Sequence, residues 1–236
     1  ELKEKSFQKL LKVVESLEIE GDREEMLQFL EIIKNIVDHH RRDQYFNEKM
    51  NQIFLHFKEQ IKQTFSNEEI FNIYENYKKI ILFLLKNDII QITESIYKEM
   101  IYKKEPNGIH YCHFFIPEIE RFLCNDKRIN FLKNELLEND PNFFVNYEKK
   151  RQEGENDSYI CSLIRQDLVE EFIYYINLNK ISPSSQISPS IFETNIFLNE
   201  SEQITMIEYS AFFGSIQIFQ YFVMNEVELT PSLWLY

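Results

Sequence analysis

Apolar residues recur at three- and four-residue spacing through most of the first 150 positions, and no stretch there alternates at period two. That periodicity calls for amphipathic helices and argues against half-buried strands. Phe7, Leu10, Leu11 and Val14 share one helical face. Met26, Phe29, Leu30, Ile33 and Val37 share the next, after a break at Gly21-Asp22 where Asp22 and Glu25 have the spacing of a capping box. Met50, Ile53, Phe54, Phe57 and Ile61 mark a third helix that begins near Arg42. Ser66-Asn67-Glu68-Glu69 opens a fourth, carrying Ile70, Ile73, Tyr77, Ile80 and Leu84. Asn87-Asp88 separates it from a fifth with Ile89, Ile92, Ile96 and Met100. Connections this short predict antiparallel helical hairpins.

Lys103-Lys104-Glu105-Pro106-Asn107-Gly108 reads as a loop, and further helices are predicted from Pro117, after Asp126 and from Pro141. The mixed charges and Gly154 within 148–157 predict a linker, so residues 1–150 form one helical region and 157–236 a second part.

Beyond the linker, Ser158 to Arg165 reads as one short helix, and Leu168, Val169, Phe172, Ile173 and Ile176 form the apolar stripe of another, with Asp167 at the turn. Residues 205–222 repeat the plan: a helix, a stop at Gly214, and a second apolar helix. Ala211 is the chain's one alanine and Gly214 one of 4 glycines. Two small residues three positions apart predict a close approach of backbones, and Gly214 also suits the left-handed end of a helix. Between the two pairs, Ile181-Ser182-Pro183-Ser184 recurs as Ile187-Ser188-Pro189-Ser190. Ser-Pro serves either as an N-cap followed by a first helical residue or as a proline-directed phosphorylation site, and the capping reading is the simpler expectation. Thr230-Pro231 is read as the start of one more helix, and the ends at Glu1 and Tyr236 as cuts in a longer protein, truncating the repeats.

Residues 205–223 resemble the ankyrin repeat, whose consensus is Thr-Pro-Leu-His-x-Ala-Ala-x-x-Gly-His-x-x-Ile-Val-x-x-Leu-Leu. Thr205, Ala211 and Gly214 match it, Ile207 stands at a Leu, Ile218-Phe219 at Ile-Val, and Phe222-Val223 at Leu-Leu. Residues 158–177 look like a weaker relative, and the whole plan is similar to divergent protist proteins in which a helical region precedes ankyrin repeats. The resemblance implies an all-α fold in which helical hairpins lead into an α-solenoid of ankyrin-like helix pairs. It implies protein binding through Tyr209, Phe212 and Phe213, with Thr205, Ala211 and Gly214 as structural residues, while in so Phe-rich a chain Phe212 and Phe213 are equally expected as core or stacking residues. Met206 and Glu208 replace the family's Pro and His, so its helix start and supporting hydrogen bonds are expected to be missing.

Charge narrows the partners. The net charge is −13, and residues 151–236 hold 12 acids against 3 bases. Such a surface repels phosphate backbones and anionic lipids, so no nucleic acid and no membrane is expected, while a basic protein surface is allowed. Three cysteines, Cys112, Cys124 and Cys161, show no disulfide framework, which suits a cytoplasmic location. The longest apolar run, Ile80 to Leu85, is far too short for a membrane helix, which needs roughly 20 residues.

His110, Cys112, His113 and Cys124 are metal-ligand types, but Cys112 and His113 are adjacent, so buried thiols beside loop histidines are expected instead. His39-His40 diverge by about 100° on a helix and suit its C-terminal dipole. The four glycines are too dispersed for a phosphate loop, and no nucleophile or zincin motif is present. The chain is accordingly read as a non-catalytic interaction scaffold without metal or cofactor, the alternatives being a self-assembling structural protein with homotypic contacts through residues 1–150 and, after that, an enzyme of unrecognised type. Residues 1–150 either cap the repeats or pair with a second copy in a homodimer.

Overall fold

The computed structural model describes residues 23–39, 44–105, 109–123, 127–199, 204–231 and 233. Phe7, Leu10, Leu11, Val14, Gly21-Asp22, Arg42, Pro106 to Gly108, Cys124 and Asp126 lie outside those residues, as do the side chains of His39 and His40. Among the described residues the secondary structure is helical, with two isolated β-bridges and no strand. The chain divides into two compact units: residues 1–101 with 115–131, and residues 102–114 with 132–236. This division does not follow the expected boundary near residue 150.

The first unit contains α1 (Arg23–His39), α2 (Gln44–His56), α3 (Lys58–Thr64), α4 (Asn67–Tyr74), α5 (Lys78–Lys86), most of α6 (Glu94–Tyr102) and α7 (Ile116–Leu123). Met26, Leu30 and Ile33 bury the face of α1 that the sequence periodicity marks, and α1 packs against α2 and α4. Tyr74 is fully buried; its ring meets Phe54 edge-on at 5.4 Å and its hydroxyl donates to the Leu30 carbonyl at 2.8 Å. The Ser66 capping box forms, with Glu69 N donating to Ser66 Oγ and Ser66 N to Glu69 Oε2.

Three helices end or begin elsewhere than periodicity predicts. The third breaks at Phe57, which sits at φ −92° and ψ 10°. The fourth breaks at 75–77, where Tyr77 N turns back to the Tyr74 carbonyl. After that turn α5 buries Lys78, Ile80, Ile81, Leu82 and Leu84, which is too wide an arc for the one-sided stripe of α4 to continue. The fifth begins only at Glu94, because Asp88 takes φ 52° and the Ile89 and Ile90 amides both return to the Leu84 carbonyl.

The second unit holds most of the one-turn segment Tyr111–Phe115 and the end of α8 (Lys127–Asn139). Pro141 does not open a helix: residues 141–146 are turns, Asn146 takes φ 59°, and α9 runs Tyr147–Glu153. The expected linker is therefore largely a helix. Arg151 within it is fully buried, its guanidinium 5.3 Å from the Phe114 ring and 5.4 Å from the Tyr147 ring. Gly154 ends α9 at φ 67°, and its carbonyl accepts from Thr194 Oγ1 at 2.7 Å.

His113 is buried 3.7 Å from Glu135, with the His110 ring 5.2 Å away. Burial holds its imidazole below the ordinary value of 6.5, reinforced by His110 and opposed by Glu135. The folded state therefore favours neutral His113. Its contribution is complete above the unfolded value of 6.5 and is lost as pH falls below it. Thermal denaturation at pH 7.5 and 5.5 should show a larger fall in melting temperature for wild type than for His113→Gln. Equal falls would remove His113 from the acid response.

Candidate interaction surface

Two helix pairs dominate the second unit: α10 (Tyr159–Arg165) with α11 (Val169–Leu178), and, after the short α12 (Ile196–Asn199), α13 (Met206–Phe213) with α14 (Ile216–Met224). They are built alike. Ser158 and Thr205 cap their first helices by accepting from Cys161 N and Glu208 N. Asp167 at φ 54° and Gly214 at φ 69° occupy the same left-handed turn. Backbone bonds confirm the register: Asp167 N to Ile164 O matches Gly214 N to Ala211 O, and Phe172 N to Leu168 O matches Phe219 N to Ser215 O.

The expectation of a deficient start to α13 is overturned. Glu208 Oε2 accepts from Thr205 N at 2.8 Å and from Thr205 Oγ1 at 2.7 Å, completing a capping box. Its Oε1 accepts from Thr230 Oγ1 at 2.9 Å. The signal was Thr-x-x-Glu, the same pattern as at Ser66.

The pairs stack α10 on α13 and α11 on α14. Asp167 Oδ1 accepts from Ile218 N at 3.0 Å and Oδ2 from Gln217 N at 3.1 Å, so the turn of the first pair caps the second helix of the next. Ser215 Oγ donates to the Ile164 carbonyl at 2.5 Å, and the Phe172 ring meets Phe222 edge-on at 5.5 Å. Arg165 donates from Nη1 to Tyr209 Oη and to the Asn156 carbonyl, both at 2.8 Å, and its Nε lies 2.7 Å from Glu155. None of Asp167, Arg165 or Ser215 stood out by residue type; only the repeated turn register, already visible around Asp167, pointed to them.

These contacts reassign the aromatic residues expected to bind a partner. Tyr209 and Phe212 are buried and Phe213 is half-buried. Tyr209 supplies the acceptor for Arg165, and the Phe213 ring lies beneath the same guanidinium at 5.9 Å. Burial keeps the Tyr209 hydroxyl protonated, well above the ordinary phenol range. Burial also pushes the Cys161 thiol up to about 11 and Cys112 up to about 12, so neither is a thiolate near neutrality. Among the described residues, no three His, Cys, Asp or Glu converge as metal ligands.

The small residues behave differently from one another. Gly214 takes its left-handed φ, as expected, but a Cβ there would meet nothing within 4 Å, so it does not hold two helices close. With Ala211, Phe219, Val223 and Met224 it lines an open, apolar groove of about 620 Å³. Ile216 at 66% and Met224 at 83% exposure leave its rim uncovered. No protein-family model, curated protein or solved structure matches this chain.

Asp167→Gly keeps the positive φ but removes both carboxylate caps, and should cost about 1–2 kcal/mol in urea denaturation. Ala211→Leu extends into open space and should change stability by less than about 0.5 kcal/mol. A neutral Asp167→Gly would sink the capping role, and a large loss in Ala211→Leu would restore the close-packing reading.

Proposed function

We propose that this chain is a non-catalytic protein-interaction scaffold of the ankyrin-repeat type, docking a protein partner in the apolar groove of its second helix pair. One observation carries the reading. The groove on α13 and α14 falls at positions of the second pair that correspond to those the first pair uses to receive it. Ala211 corresponds to Ile164, Gly214 to Asp167 and Phe219 to Phe172 in the shared backbone register. The first pair's face is covered by α13 and α14; the second pair's matching face is the apolar groove. A short helix pair buries its apolar face by stacking, so an apolar groove at these positions supports a docking reading, for a partner protein or for a further helix pair of the same protein.

The ankyrin resemblance of residues 205–223 supports the same reading, now with Ile216, Phe219, Val223 and Met224 as contact residues in place of Tyr209, Phe212 and Phe213. The acidic balance of residues 151–236 favours a partner with basic groups around an apolar centre. Cys112 and Cys161 are free buried thiols, which supports a reducing, cytoplasmic setting.

A photo-crosslinking side chain at Gln220, in the groove, should trap a partner that the same probe at exposed Tyr174 does not. Val223→Asp with Met224→Asp should abolish that product without lowering the melting temperature. Identical products from both positions, or a product that survives the double substitution, would overturn the groove as the docking surface.

A further inference from the structure

The duplicated Ser-Pro segment departs from its simplest expectation, and the departure is informative. Had Ser182 and Ser188 been helix caps, helices would begin at Pro183 and Pro189. Residues 183–184 instead form a turn, residues 187–190 carry no regular structure, and the next helix starts only at Ile196. Ser182 Oγ accepts from Ser184 N at 3.3 Å, a two-residue turn bond and not the bond of a helix cap. Both serines are exposed.

A proline-directed kinase needs a hydroxyl that is accessible and a backbone that is extended ahead of proline. Proline itself excludes the helical region for the residue before it, which supplies the second condition. Apart from that one turn bond to Ser182 Oγ, the segment is held in place by its backbone groups. Ile187 N donates to the Ile204 carbonyl at 2.7 Å, Met206 N to the Ser185 carbonyl at 3.2 Å, and Asn156 Nδ2 to the Ser188 carbonyl at 2.8 Å. The backbone anchors the strip while both Ser-Pro side chains face solvent. Ser190, by contrast, is buried and donates to Asp157 Oδ1 at 2.7 Å.

The chain provides its own internal comparison. Thr230-Pro231 is the third Ser/Thr-Pro pair in the sequence. Its hydroxyl is half-buried and donates to Glu208 Oε1 at 2.9 Å, where the capping carboxylate would repel an incoming phosphate. We infer that Ser182 and Ser188 are paired acceptors for proline-directed phosphorylation, and that folding withholds Thr230 from the same enzyme. In each transfer the serine Oγ bonds to the γ-phosphorus of ATP, the β–γ bridging bond breaks, ADP departs and the hydroxyl proton passes to the kinase's base. Each phosphate adds a charge of about −1.5 to −2 at neutral pH to residues 151–236, which are already acidic. This inference is independent of the docking groove.

The test uses the folded chain, a proline-directed kinase and Mg-ATP, with phosphate located by mass spectrometry. Phosphate should appear on Ser182 and Ser188, with Thr230 modified at least tenfold more slowly than in a synthetic peptide spanning residues 225–236. Ser182→Ala with Ser188→Ala should reduce incorporation to the slow rate at Thr230. Protein isolated from its own cells under phosphatase inhibition should carry phosphate on at least one of the two serines. Incorporation at Thr230 as fast as at Ser182, failure to modify either serine while the 178–192 peptide is modified, or unphosphorylated native protein would each overturn the inference.

Discussion

A guanidinium with little access to water sets the terms for the second unit. Arg165 has left most of its hydration behind, a loss that must be met by fixed partners. The structure supplies a backbone carbonyl from Asn156, a phenol oxygen from Tyr209, a carboxylate from Glu155 and the ring of Phe213. Those groups come from the segment before α10 and from α13, so satisfying one charge positions both helix pairs together. Around it the polar anchoring continues: Glu193 Oε2 accepts from Asn156 N at 3.1 Å, and Asn156 in turn holds the Ser188 carbonyl. The apolar core shared by Cys161, Phe172, Ile207 and Phe222 packs beside these directional bonds.

What could be read in advance followed the range of the interactions involved. The Ser66 capping box, the left-handed Gly214 and the faces of α1 and α11 depend on neighbours within a few residues, and all of these were legible. The break at 75–77 was not, because it depends on how completely α5 is surrounded. Arg151 misled for a related reason: a charged residue beside glycine looks solvated unless the rings of Phe114 and Tyr147 are known to enclose it. Glu208 is the instructive case. Its box with Thr205 was local and readable, yet comparison with a histidine-bearing consensus turned attention to what was absent.

The aromatic side chains show why a surface could not be assigned by residue type. In a chain with 21 Phe and 13 Tyr, rings supply ordinary packing and hydrogen-bonding material, as Tyr74 does in the first unit and Tyr209 in the second. The open surface is instead made where bulk is missing. Ala211 and Gly214 leave a hollow that larger residues would fill, and the exposed Ile216, Val223 and Met224 border it.

The two turns also differ in one atom group. Asp167 and Gly214 share a backbone conformation, but only Asp167 carries the carboxylate that completes the start of the neighbouring helix. At Gly214 the geometry of reception is retained and the chemical welcome is withdrawn. A helix set against Gly214 as α14 is set against Asp167 would find no carboxylate there for its first amides.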